Sequence, residues 1–308
     1  MTGPDPGARS RTRARVIAIA AAQVLVSVGL LVALGAAWGW GPFADALTSL
    51  PWWALLGGAL LGGLGVVLQG LRARVVARHH GIPLTTRSAV ARCWQSAFLN
   101  GVLPGGVGGD LVRALDDSSD HEAPAARQAL TSSVRAVAAE RLVGTTIVFA
   151  AAGVVLLPLA PLVAVAALAV ALAAAVLSRR WLRGLGGREV ARITALSLLG
   201  WATFVAMFVL AAIAVAPRFP PAELPGLAAV ALGGMSVPLG VGGWGPREAA
   251  AGWVFETSGH PASLGLAVSI AYGLLALVST VPGAVVLAVR TWPRLRAVRA
   301  ARERRARA

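Results

Sequence analysis

Two stretches of this 308-residue chain set ionic side chains directly after a run of glycine: LPGGVGGDLVR at residues 103–113 and VPLGVGGWGPR at 237–247, the second followed by Glu248. They align without a gap. Pro104, Gly106, Val107, Gly108, Gly109 and Arg113 return 134 residues later as Pro238, Gly240, Val241, Gly242, Gly243 and Arg247. The chemistry this pattern supports is anion binding. Proline stops the preceding helix, and glycine permits positive φ and close backbone approach. A helix that starts immediately afterwards offers unpaired N–H donors and the positive end of its dipole. Arg113 and Arg247 would add planar forks that match phosphate. Asp110 suits an N-cap, and Pro246 suits a first helical position. Two alternatives stay open for these residues. Glycines such as Gly105, Gly106, Gly108 and Gly109 also serve close helix packing, and the arginines could pair within the protein, Arg113 with Asp110 and Arg247 with Glu248 or Glu256.

Other candidates are single residues. Asn100, just before the first glycine run, is either a hydrogen-bonding strut or a ligand contact. Glu140 and Arg141, in AAERLVG, read as a local pair at a membrane interface or as a coupling site. Trp244 reads as an interfacial ring or as a cover for an acyl chain. Asp116, Asp117, Asp120 and Glu122 form a solvated acidic turn, and His79-His80 beside Arg78 reads as a solvated loop. The single Cys93 allows no internal disulfide, and the four histidines lack metal-ligand spacing, so neither a metal nor a cofactor is expected. No lysine-serine/threonine step follows the glycines, which excludes a nucleotide P-loop. No Ser-His-Asp order supports a catalytic site.

The elements that must position these residues are membrane spans. Hydrophobic residues make up 57% of the chain and charged ones only 13%, against about 25% charged in soluble domains. Mean hydropathy is +0.73. Runs such as Val16–Ala37, Pro51–Leu71, Ile193–Ala216 and Ala262–Val289 are long enough to cross a hydrocarbon core as helices. Period-2 alternation is absent, which argues against a barrel. The expected class is therefore an all-α polytopic membrane protein.

The net charge of +15 comes wholly from arginine. Placing basic segments on the cytoplasmic face threads the chain from a basic N-terminus (1–15) through one transmembrane domain (16–289) to a basic cytoplasmic tail (290–308). Six full spans are expected: Val16–Ala37, Trp52–Leu71, Leu142–Leu157, Leu162–Leu177, a fifth ending before APRFPPAEL, and Ala262–Val289. Two broken helical hairpins carry the glycine motifs, Cys93–Leu103 onward from the cytoplasm and Gly226–Phe255 from the opposite face, making eight helices if each hairpin counts as a span. Only Arg218 and Arg247 fall outside the cytoplasmic side. The first run reads as a retained span rather than a signal peptide. Spans three and four are expected to be short, about 24 Å each. Halves at 16–158 and 159–289 with opposite orientations read as an inverted-topology repeat. Irregular backbone in a bilayer must be buried in protein or face a wet cavity, so the anion expected at the loops is a lipid phosphate. Anionic headgroups, not nucleic acid, are the expected contact of the tail.

LNGVLPGGVGGDLVRAL, AAERLVG and SVPLGVGGWGPREAA, in this order, resemble the three signature regions of the lysylphosphatidylglycerol synthase transmembrane-region family, also called flippase-like membrane proteins. The resemblance spans essentially the whole chain. It implies translocation of a phospholipid or polyprenyl-phosphate-linked lipid, or assistance to a separate lipid-modifying enzyme or glycosyltransferase. Its motifs fall on Asn100, Pro104, Gly105, Gly106, Gly108, Gly109, Asp110 and Arg113, on Glu140 and Arg141, and on Gly240, Gly242, Gly243, Gly245, Arg247 and Glu248. Pro246 departs from the pattern but fits a helix start. Only a short basic tail follows Val289, so the synthase activity in the family's name is not carried over. A lipid-phosphate enzyme ranks third, behind a transporter and a non-translocating scaffold.

Overall fold

The computed structural model describes residues 50–103, 109, 123–237 and 242–307, with positions 29, 32, 33, 36, 40 and 41 isolated before them. Among the described residues the regular structure is helical throughout: α1 (Trp52–His79), α2 (Thr86–Val102), α3 (Ala123–Leu156), α4 (Pro161–Leu182), α5 (Gly187–Val215), α6 (Leu224–Met235), α7 (Pro246–Thr257) and α8 (Ala262–Arg307). Five are long and apolar enough to cross a membrane: α1, α3 from Leu130, α4, α5, and α8 as far as Arg290. The chain is an all-α polytopic membrane protein. Of the six expected spans, Val16–Ala37 lies outside the described residues except for positions 29, 32, 33 and 36, and the other five each coincide with one of these helices.

Four boundaries differ from those read in the sequence. α1 runs on through Arg72, Arg74 and Arg78, so His79 ends a helix and does not sit in a loop. α2 is 17 residues long and starts at Thr86, where the Thr85 hydroxyl accepts from the Ser88 N–H at 3.2 Å. α3 passes through Arg135, Glu140 and Arg141 without a break, and its apolar part, Leu130–Leu156, spans 27 residues. α4 has 22 residues, with Pro161 in its first turn. Spans three and four are therefore not short. The common reason is that arginine is a good helix former, so a charge marks where a membrane boundary falls and not where a helix ends.

Gly81, with φ +79°, turns the chain at the end of α1. Beside it, a β-carbon on Gly184 in the α4–α5 turn would stand 3.7 Å from the His79 ring, and Arg290 donates to Gln95 Oε1 at 2.8 Å. These contacts gather the basic helix ends of α1, α2, α4, α5 and α8 at one end of the bundle. At the opposite end His260 Nε2 meets Glu223 Oε2 at 2.7 Å, and Phe219 packs against both His260 and Phe255. Glu223 precedes α6 and His260 follows α7, so this helical pair begins and ends at the same end. Each of the two helices has 12 residues, about 18 Å at 1.5 Å per residue, too short to cross alone.

The spacing of the glycine motifs is also the spacing of the helices. Shifted by 134 residues, α1 covers 186–213 against Gly187–Val215 for α5, and Leu130–Leu156 covers 264–290 against Ala262–Arg290. Packing follows the same exchange. α1 lies along α5, α2 packs on α8, and α6 packs on α3. The short helices α2 and α6 thus lie on the spans α8 and α3. Glycines of α1 make the close approach: a β-carbon at Gly58 would stand 2.8 Å from Leu275 of α8, and one at Gly65 would stand 2.7 Å from Thr203 of α5.

Candidate functional site

α2 holds Gly109, the described glycine of the first motif. Ser96 and Asn100, one turn apart and so on one face, hold the backbone of Gly109 from both sides. Ser96 Oγ donates to the Gly109 carbonyl at 2.8 Å, and the Gly109 N–H donates to Asn100 Oδ1 at 2.8 Å. A β-carbon on Gly109 would overlap the Ser96 backbone. Asn100 is a strut, one of its two readings. Gly105, Gly106, Gly108, Asp110 and Arg113 lie outside the described residues.

The second motif reaches the end of α2. Gly242 has φ +58°, and a β-carbon there would stand 2.7 Å from the Gly101 carbonyl oxygen in the last turn of α2. Gly243 (φ +82°) folds over Met235 at the end of α6, and Gly245 (φ +95°) leads into Pro246, the first residue of α7 as expected. Gly240 lies outside the described residues.

Beyond this turn sits a fully buried ionic cluster. Arg247 is 1% exposed and Glu248 0%. Their side chains pair through Arg247 Nη2 and Glu248 Oε1. Arg247 Nε donates to Glu248 Oε1 and to Ser269 Oγ, each at 3.0 Å, and Ser269 Oγ donates to Glu248 Oε1 at 3.0 Å. The other carboxylate oxygen accepts the Gly245 N–H at 2.7 Å, capping α7. The Arg247 Cζ lies 4.8 Å from the Trp244 ring centroid and 5.1 Å from that of Tyr272, distances at which a guanidinium is attracted to a ring face. A β-carbon on Gly273 would overlap both Arg247 and Trp244. Of the two acidic partners weighed for Arg247, the structure selects Glu248; Glu256 is exposed. Trp244 packs inward on this cluster, against its reading as an interfacial ring.

Electrostatically the cluster is compensated. Two opposite charges, four donated hydrogen bonds and two ring faces remove the penalty of burying either ion alone. It presents a helix N-terminus and an arginine beside the contact of the second motif with α2, with the guanidinium committed to protein groups.

Glu140 and Arg141 lie elsewhere, in the basic half of α3. Glu140 is buried and Arg141 exposed, because consecutive helix positions point about 100° apart. Near them Arg72 Nη1 donates to Ser197 Oγ at 3.1 Å, joining α1 to α5. Ser96, Gly101, Ser269, Tyr272 and Gly273 escaped the sequence reading. A signal existed for Ser269 and Tyr272, since polar groups inside an apolar span are costly unless partnered. Among the described residues no group of three or more metal-ligating side chains occurs.

No curated protein matches the chain. The sequence pattern of the lysylphosphatidylglycerol synthase transmembrane region matches residues 20–283, which takes in α1 to α7, both glycine motifs and most of the apolar part of α8. The chain belongs to the lysylphosphatidylglycerol synthase transmembrane-region family.

Proposed function

We propose that this protein binds a phospholipid or polyprenyl-phosphate-linked lipid by its headgroup and moves it across the cytoplasmic membrane. The observation that carries this reading is the approach of Gly242 to Gly101, which sets the second glycine segment against the end of the helix that leads into the first. The headgroup phosphate would sit at this junction, on backbone N–H groups of the glycine segments. Arg113 is the fork we assign to it, with Asp110 capping the helix that follows. Arg247 and Glu248 act there by shaping the loop, and Glu140 and Arg141 belong to the basic approach. The matching helix lengths and exchanged packing support halves of opposite orientation, with the two hairpins entering from opposite faces and the halves rocking to alternate access. Gathering of arginine at one end supports a cytoplasmic location for that end and for both termini.

A second reading, a scaffold that presents lipid to a separate enzyme, is favoured by one observation: Arg247 is wholly committed to Glu248 and Ser269. A phospholipid carrying a photoactivatable group near its phosphate separates the two from a purely structural role. Labelling should concentrate on residues 100–103 and 242–245. Labelling confined to the outward face of α4, where Leu162, Val165 and Leu172 are exposed, would remove the headgroup site.

A further inference from the structure

Hydroxyls inside the helices are partnered: Ser96 and Ser269 bond across to Gly109 and Glu248, and others bond back along their own helix. Thr146, Ser178, Ser197, Thr203 and Ser279 each donate to a carbonyl three or four residues back in their own helix. Ser133 of α3 does not. Its side chain is 0% exposed, and among the described residues its Oγ has no hydrogen-bond partner. Ser133 lines a cavity behind the turn between α1 and α2, together with Arg92, Glu140, Ala77, Leu84 and Val137. The space open to water centres is about 10 Å³, roughly what a single buried water occupies. Hydroxyl, carboxylate and guanidinium supply the two to four polar partners such a water needs.

We propose that this cavity is a binding site for one water molecule, which joins Ser133 to Glu140 on α3 and to Arg92 on α2. Water fits where an ion does not. A monovalent cation would meet the Arg92 guanidinium, and an anion would meet the Glu140 carboxylate. A dry apolar filling leaves the Ser133 hydroxyl unsatisfied, and buried polar groups in native proteins are satisfied. α2 and α3 are not among the helix pairs that share extensive packing, so the water is a polar link between the first hairpin and the span beside it. Arg92 is held toward its own helix by donating from Nε to Ser88 Oγ at 3.2 Å.

The test compares Ser133→Ala and Ser133→Val in the full chain in lipid nanodiscs. Valine fills the space with methyl groups and expels the water, whereas alanine leaves room for it. The expected result is a downward Tm shift of about 2–4 °C for Ser133→Val relative to Ser133→Ala. A valine variant at least as stable as wild type would show a dry cavity and overturn the proposal. So would a Tm that rises with sodium but not with choline, which would mark a cation site. A density map that resolves water gives a readout independent of folding: a peak at hydrogen-bond distance from Ser133 Oγ supports the site, and a closed cavity with that hydroxyl donating to a helix carbonyl refutes it.

Discussion

Gly242 rests against the carbonyl of Gly101, with room for no β-carbon between them. Gly242 belongs to the second glycine motif and Gly101 to the last turn of α2, just before the first motif begins, 141 positions apart in the chain. Their contact tolerates neither larger side chains nor the φ preferences of other residues.

Gly242→Ala should destabilise the protein by about 1–3 kcal/mol, combining a left-handed φ with a clash. Gly259 is the control. It also has positive φ (+85°) but nothing within 4 Å of a β-carbon, so Gly259→Ala should cost only the backbone part. Thermal unfolding of both variants in nanodiscs checks this, and equal costs would mean that the Gly101 contact is not tight.

The Arg247–Glu248 pair should behave as one unit. Arg247→Met strands a buried carboxylate and should cost about 3–5 kcal/mol. Combining it with Glu248→Gln should cost less than the two single changes summed. The pair at the other end, His260 with Glu223, is 24% and 47% exposed; Glu223→Gln should shift stability by no more than about 1 kcal/mol. A double-mutant cycle by denaturant unfolding measures both.

Gly273→Ala should mimic damage to the second motif without touching it, because the new methyl group would meet Trp244 and Arg247. The expected signature is a blue- or red-shifted Trp244 emission, read against the same variant with Trp244→Phe, together with a fall in Tm.

His80 gives a pH dependence. Burial holds its pKa below 6.5, and the neighbouring charges of His79 and Arg135 push it the same way. Below pH 6.5 the unfolded chain binds the proton before the folded one does, so stability should fall as pH drops from 6.5 toward the lowered value. Above 6.5 this group contributes no slope. His80→Gln should flatten the Tm profile between pH 5 and 7 relative to wild type, and an unchanged profile would contradict the assignment.

Much of this architecture could be read from the sequence. Apolar runs locate five of the spans, arginine locates the basic end, and Pro246 announces the start of α7. Helix ends were less legible, because Arg72 and Glu140 look like boundaries yet sit inside α1 and α3, satisfied by Ser197 in the one case and buried beside a cavity in the other. The partners of Arg247 were half legible. Glu248 is its neighbour in the chain, but Ser269, Tyr272 and Gly273 come from α8, and only the packing of α7 on α8 brings them together. The same holds for Ser96, whose partner Gly109 stands 13 residues further along the chain.

The proposal that the glycine loops serve lipid movement is tested most directly in proteoliposomes carrying headgroup-labelled phospholipid or polyprenyl-phosphate reporters. The account predicts that wild type moves at least one of these lipids, and that Gly242→Ala and Arg113→Gln slow it at least tenfold while Gly259→Ala does not. Movement unaffected by all three changes, or no movement of any reporter by folded wild type, would contradict it.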